Sequence, residues 1–298
     1  SLAGNFKMSG GLQIHGKIQF PDGFVPTSLT FQDGYFIVSR AGTGRFYISD
    51  LLNPSGWYAL DYATAEGLHD NLVAVHSNNR DLWLLGSESI EIWYNSGESA
   101  FPFARYSGGF INIGCKAARS VVSSEQGVFW LDNKGQVRLG LGVQSNVIST
   151  PQIDYQISLL TEQADAVGFC YIQKGHAFYQ LTLGAVGSAK TFVFDITTKY
   201  WHTRATGTVN RRHPAQCYAF FNEKHLVGHW ARGHILELDF NAHTNNEEMF
   251  KAIRAAQSIH ADRKRIFHKS LEIEFESGVV VDASTDSEAI LGIEGGKD

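Results

Sequence analysis

Twelve histidines, thirty carboxylates and three cysteines give this chain the raw material for catalysis, so their spacing decides what chemistry is available. His213, His225, His229 and His234 lie close in sequence. A metal centre needs imidazoles that converge and are held by a second layer of hydrogen bonds. His225 and His229 flank a short apolar run, and a spacing of four along a strand leaves the two rings about 13 Å apart on one face. They read as turn and surface histidines. The carboxylates Glu88, Glu91, Glu98, Asp154, Asp165, Asp195, Glu237 and Asp239 show none of the Ser-x-Asp-x-Gly-x-x-Trp boxes of sialidases, and nothing pairs two of them across a sugar. They read as solvated turn acids. No Gly-x-Ser-x-Gly nucleophile elbow occurs, and Gly42-Thr-Gly44 and Gly140-Leu-Gly142 sit between strands rather than opening helices, so no phosphate cradle is expected. Cys115, Cys170 and Cys217 are odd in number and far apart, which argues against a disulfide scaffold and fits synthesis in a reducing compartment. No catalytic, cofactor-binding or metal-binding residues are expected. The basic clusters Arg211-Arg212-His213 and Arg263-Lys264-Arg265 read as solvated loops, and a net charge of −5 argues against a nucleic-acid-gripping surface.

The elements that would position any site repeat. Short apolar runs begin at residues 35 (YFIV), 82 (LWLL), 128 (VFWL), 177 (AFYQL) and 225 (HLVG), so successive starts lie 47, 46, 49 and 48 residues apart. A polar turn precedes each run, and before each turn stands another strand: SLTF, LVAVHS, SVVSS, VGFCYI and CYAFF. A third strand follows each run: RFYISD, SIEIWYN, QVRLGL, TFVFDI and HILELD. Twice a fourth follows, carrying Trp57 or Trp201 after an Asp, similar to kelch-type blades in which the aromatic wedges between neighbouring sheets. Strand-turn-strand units at a period in the high forties predict an all-β fold, a β-propeller. High glycine, low proline and 12% aromatic residues agree with many short strands and turns.

Five blades come from these units. The alternating segments 11–20 and 270–275 predict a sixth, so the expectation is a propeller of about six blades closed by strands from both termini over residues 1–281, followed by an acidic, poorly ordered tail at 282–298. Residues 245–264 carry helix formers and a Glu-rich start and are expected to be helical, with an edge strand at 250–253 as the alternative. No apolar run is long enough to span a membrane as a helix.

One stretch departs from the repeat. Residues 86–115, GSESIEIWYNSGESAFPFARYSGGFINIGC, begin as an ordinary third strand and then enter FPFAR, expected to be an inter-blade loop with no counterpart in the other units. Phe101, Phe103, Arg105 and Tyr106 form a mixture enriched at protein interfaces and are the candidate contact residues; the plainer reading is that the two Phe fill a gap between blades. The whole stretch, with ARSVV and GVFWL after it, resembles the packaged-DNA stabilisation proteins of short-tailed bacteriophages, the tail hub or nozzle proteins. VFDITTKYWHTR (193–204), HLVGHWARGHILELD (225–239) and KRIFHKSLEIEFESGV (264–279) extend that resemblance over most of the chain.

The resemblance implies a virion component, made in the bacterial host cytoplasm, that catalyses nothing. It implies a homo-hexameric ring below the portal and its adaptor ring, to which tail needle and tailspikes attach, with DNA passing nearby without specific binding. The acidic balance suits a conduit that must release phosphates. Members of that family continue beyond the matched segment, so the chain is expected to be a fragment or a degraded prophage copy, monomeric in isolation. Two other classes predict different features. A carbohydrate- or peptide-binding propeller would carry a Tyr- or Trp-lined pocket among its loops, and a propeller lyase or glycosidase would converge acids or histidines at its axis.

Overall fold

The computed structural model describes residues 18–207, 211–242, 244–245, 248–249, 253 and 270. Consecutive strands pair antiparallel through tight turns to form a series of small sheets. The first holds β1 (Pro26–Gln32), β2 (Tyr35–Arg40), β3 (Arg45–Asp50) and β4 (Asn53–Thr64). The second holds β5 (Leu72–Asn78), β6 (Asp81–Gly86), β7 (Ile90–Asn95) and β8 (Phe103–Ile111). The third holds β9 (Val122–Ser124), β10 (Gly127–Leu131), β11 (Val137–Leu141) and β12 (Gln144–Val147). The fourth runs through β13 (Val167–Gln173), β14 (His176–Leu183), β15 (Lys190–Asp195), β16 (Trp201–Thr206) and the short β17 (Arg211–Arg212). The fifth holds β18 (Ala215–Phe221), β19 (Lys224–His229) and β20 (Ile235–Glu237). Every repeated apolar run of the sequence is the second strand of its sheet, with the predicted neighbours on either side.

The sheets stack face to face, and the core is divided among the seams between them. Phe46, Ile48, Leu82, Leu84 and Phe103 fill the first seam, where Phe46 meets Trp93 and Phe101 at centroid distances of 5.2 and 5.8 Å. Trp83 and Trp130 meet across the second seam at 6.0 Å, among Ile90, Ile92 and Val128. Phe129 stacks on Tyr179 at 4.9 Å in the third. Phe169 stacks on Tyr218 at 5.7 Å in the fourth. A buried side chain of this size contributes about 1.5–3 kcal/mol. The first strands of neighbouring sheets also run alongside each other. Ser28, Thr30 and Gln32, on alternate positions of β1, replace backbone pairing with side-chain bonds to β5: the Ser28 hydroxyl lies 3.2 Å from Val75 N and O, Thr30 Oγ1 accepts from Ser77 N at 3.0 Å, and the Ser77 hydroxyl donates to Gln32 Oε1 at 2.9 Å. The intervening Leu29 and Phe31 point to the other face and stay exposed.

Three expectations need correction. FPFAR is not an inter-blade loop: Phe103 opens β8, the fourth strand of the second sheet, which pairs back onto β7. The third sheet likewise has a fourth strand, β12, that its weak pattern concealed. In the segment expected to be helical, β21 (Thr244–Asn245) pairs with β22 (Glu248–Met249), and the rest of that segment, residue 253 apart, lies outside the described residues. The sequence reading also missed the helix α1 (Pro151–Ser158). Thr150 caps it by accepting from Ile153 N, Pro151 opens it, and Ile153 and Ile157 place one apolar face in the third seam. The segments expected to form a sixth blade, and the tail at 282–298, lie outside the described residues apart from 18–20 and 270.

Stacked seams make a specific forecast for stability. Phe46→Ala opens a cavity in the first seam and should cost about 3–5 kcal/mol in urea unfolding. Leu60→Ala, at a side chain 85% exposed on the outermost strand, should stay within about 0.5 kcal/mol of the parent.

Candidate functional site

The strand β8 and the crossover after it gather the candidate contact residues around one buried carboxylate. Glu91 sits in β7, a central strand covered on both faces, and is 1% exposed. Its Oε2 accepts from Trp93 Nε1 at 2.8 Å, and its Oε1 accepts from Arg105 Nη1 at 3.3 Å and from the backbone N–H of Gly67. The last contact ties the connection between the first and second sheets to the middle of the second. The pair is asymmetric, because the Arg105 side chain stays 46% exposed while that of Glu91 is enclosed. Glu91 is therefore an internal anchor and not the solvated turn acid that its type suggested. Asp195, also expected to be solvated, is nearly buried too. Its Oδ1 accepts from Thr197 N and Thr198 N, and its Oδ2 lies 2.8 Å from His176 Nδ1. These bonds hold its carboxyl below the usual range against the opposing effect of burial, and they shape the turn that delivers Trp201. Trp201 donates from Nε1 to Ile148 O at 2.8 Å and packs on the third seam, as a wedge does. Trp57 lies edge-on to Phe20 at 5.0 Å instead.

The four candidate residues separate into two pairs. Phe103 is buried and Phe101 half-buried; both pack in the first seam, with Phe103 5.8 Å from Tyr35. Arg105 and Tyr106 face outward, the Tyr106 ring lying 4.6 Å from that of Tyr94. From Tyr106 onward β8 bulges. Glu91 pairs with Phe110 and Trp93 with Arg105, so the residues 106–109 are looped out opposite Ile92 alone. Gly108 takes φ +77° at that bulge, a conformation costly for a side chain. The bulge walls a recess of about 570 Å³ shared with Glu66 and Gly67. The following GC step stitches the second sheet to the third: Cys115 N donates to Gly86 O at 2.8 Å, and Lys116 N donates to Leu131 O at 2.9 Å. A Cβ on Gly114 would come within 2.0 Å of Ser87 O, so the chain passes there only as glycine. The motif's unusual residues thus serve a bulged strand and a tight crossover.

Two further expectations change. Arg211-Arg212-His213 is not a solvated loop. Arg212 lies over the Trp230 ring at 4.8 Å and donates to Gln216, and His213 is 6% exposed in the fourth seam. There His213 Nδ1 accepts from Ala215 N, and burial, with Arg204 and Arg212 nearby, pushes its pKa down to about 3. His225 is half-buried against Tyr218 rather than at the surface. Among the described residues no three His, Cys, Asp or Glu side chains are placed to share a metal ion. No described helix is long and apolar enough to cross a membrane.

Stacked meander sheets joined through their seams define a protein of the β-propeller class. The particular family follows from comparison: residues 11–243 match the phage stabilisation family, described as bacteriophage P22 Gp10, β-propeller, and the chain belongs to it. Virion and tail are the setting of that packaged-DNA stabilisation family. No curated protein matches the chain. Among solved structures, the β-propeller domain of Cps50 (Swd1) from Myceliophteria thermophila is similar at 12% identity over 68% of this chain and 63% of that one, with a TM-score of 0.37. A likeness at that level carries no functional meaning.

Two measurements test the site. Glu91→Gln removes the charge that Arg105 and Trp93 share and should cost about 1–3 kcal/mol in urea unfolding. Arg105→Ala, at a half-exposed partner, should cost about 1 kcal/mol or less. For His213 the sign is set by its low folded pKa. The unfolded chain binds the proton first, so the neutral ring's contribution is complete above the unfolded value of 6.5 and is lost progressively as pH falls from there towards 3. Urea midpoints should therefore fall between pH 7.5 and 4.5, and the slope should be shallower in His213→Gln.

Proposed function

We propose that this chain is a tail hub or nozzle protein of a short-tailed phage, which stabilises packaged DNA by assembling below the portal and adaptor rings and by anchoring the tail needle and tailspikes. The observation that carries this reading is the family match over 11–243, which includes the bulged β8 and its crossover. The role is structural, with no catalytic step, and the protein is made in the host cytoplasm before incorporation into the virion. In the virion it forms a homo-hexamer, while an isolated copy is monomeric. DNA passes nearby without being gripped, in keeping with the net charge of −5.

Two exposed faces support a larger unit over residues 1–281. Leu29 and Phe31 on the free side of the first sheet are 63% and 50% exposed, and Phe221 and Ile235 on the fifth sheet are 65% and 76% exposed. Such surfaces are what a sixth sheet, built from 11–20 and 270–275, would cover. The contact with tail partners takes in Arg105 and Tyr106, held in place from behind by Phe101 and Phe103.

Native mass spectrometry of the chain mixed with portal and adaptor rings from its own phage tests the reading. The expected product carries six copies per ring, and Tyr106→Ala combined with Arg105→Ala reduces occupancy while leaving the thermal midpoint within a few degrees. A parent chain that never joins the rings, or a variant that joins them as fully as the parent, contradicts the proposal.

A further inference from the structure

A second concavity lies away from β8, where the third, fourth and fifth sheets meet, and it encloses about 540 Å³. That volume is within the range of small-molecule sites. Its floor is aromatic. Tyr171 and Phe178, opposite each other on β13 and β14, have ring centroids 5.0 Å apart. Tyr218 and Phe220 from β18 face them, Tyr218 being fixed by a 2.9 Å hydrogen bond between its hydroxyl and His225 Nδ1, while Phe220 packs on the same imidazole at 5.1 Å. Glu125 and Gln126, at the turn between β9 and β10, form the opposite rim. Gln126 Oε1 accepts from Lys199 Nζ at 2.8 Å, and the Glu125 carboxylate makes no hydrogen bond or ion pair among the described residues.

From this arrangement we infer that the cleft is a binding site for a neutral saccharide. The floor offers the ring face of Phe220, 61% exposed, whose negative quadrupole attracts polarised C–H groups, while Tyr171, only 3% exposed, backs the cleft through its stack on Phe178. The rim offers the unengaged Glu125 carboxylate and the Gln126 amide, with the Lys199 ammonium held on Gln126 just beyond the lining, so acceptors and donors of opposite charge stand near one another. A ligand with apolar faces and hydroxyl edges, and no net charge, meets both requirements at once; a pyranose ring has that chemistry. A cation would have to approach Lys199, and an anion Glu125. The site is separate from Arg105 and Tyr106 and stands independently of the assembly reading.

The test uses the full chain with maltose, lactose and chitobiose, read by saturation-transfer NMR and calorimetry. Two variants accompany it: Phe220→Ala, at a ring 61% exposed whose loss leaves the seam intact, and Glu125→Gln. At least one of the three sugars should bind, with affinity unchanged by added salt. Phe220→Ala should weaken it by about tenfold, the equivalent of one aromatic stacking contact, and Glu125→Gln should weaken it as well, both at an unchanged thermal midpoint. Absence of binding for all three sugars overturns the inference. So does binding that neither variant alters, and so does a cleft that takes the peptide Tyr-Gly-Tyr and no sugar, which would assign it to a protein partner.

Discussion

A four-stranded antiparallel sheet has two faces to cover and too little material to cover either by itself. That constraint governs this chain. Each sheet hides its apolar side chains only against the sheet before and after it, so Phe46, Trp83, Trp130, Phe129 and Tyr179 all act across seams and not within a sheet. The central strands, covered on both sides, are the most buried parts of the structure, whereas the last strand of the first sheet exposes Tyr58 and Leu60. Register within a sheet and stacking between sheets are thereby coupled, since a slip of one residue in any strand would turn its seam residues to the wrong neighbour.

The same constraint explains why the second sheet carries the motif that distinguishes this chain. A central strand with neighbours on both faces has no outlet to water, so a carboxylate placed there must be answered by fixed donors. Glu91 is answered by Trp93, by Arg105 and by the backbone of Gly67. Those partners come from three places: the strand itself, the strand next to it, and the incoming connection. The bulge after Arg105 and the glycine at 114 then turn the chain into the third sheet. The candidate contact residues are therefore tied to the packing: two belong to a seam, and two stand on the surface that the seam holds in place.

Much of this was legible in the sequence because it repeats. Five apolar runs at near-equal spacing located the second strand of each of the five stacked sheets and both its neighbours. The reading failed where the local signal and the tertiary setting disagree. Alternation around Ile90 and Ile92 assigns Glu91 to solvent, but alternation reports exposure only for a sheet with one wet face. FPFAR looks unlike a strand because Pro102 and the Gly108-Gly109 pair are turn residues, yet the first merely leads into β8 and the pair shapes its bulge. His213 carries no local mark of burial, which comes from the fourth and fifth sheets closing around it, with Thr191 accepting from its backbone N–H and Arg204 nearby. The helix at Pro151–Ser158 did have a signal in Thr150, Pro151, Ile153 and Ile157, but its eight residues are short enough to pass for a connection between strands. The aromatic cleft could not have been found by spacing, since its walls come from residues about fifty positions apart in successive repeats.

Family membership and the described sheets point to a chain whose work is to be a shaped, stable part of a phage tail. The claim at the centre of that account is that the chain helps to keep packaged DNA inside the capsid. Its most direct test is the DNA content of particles assembled by the phage with this gene deleted, measured beside particles restored by supplying the protein. The account predicts capsids that package DNA and then lose it, with retention recovered on restoration. Particles that hold their full genome without this chain would contradict it.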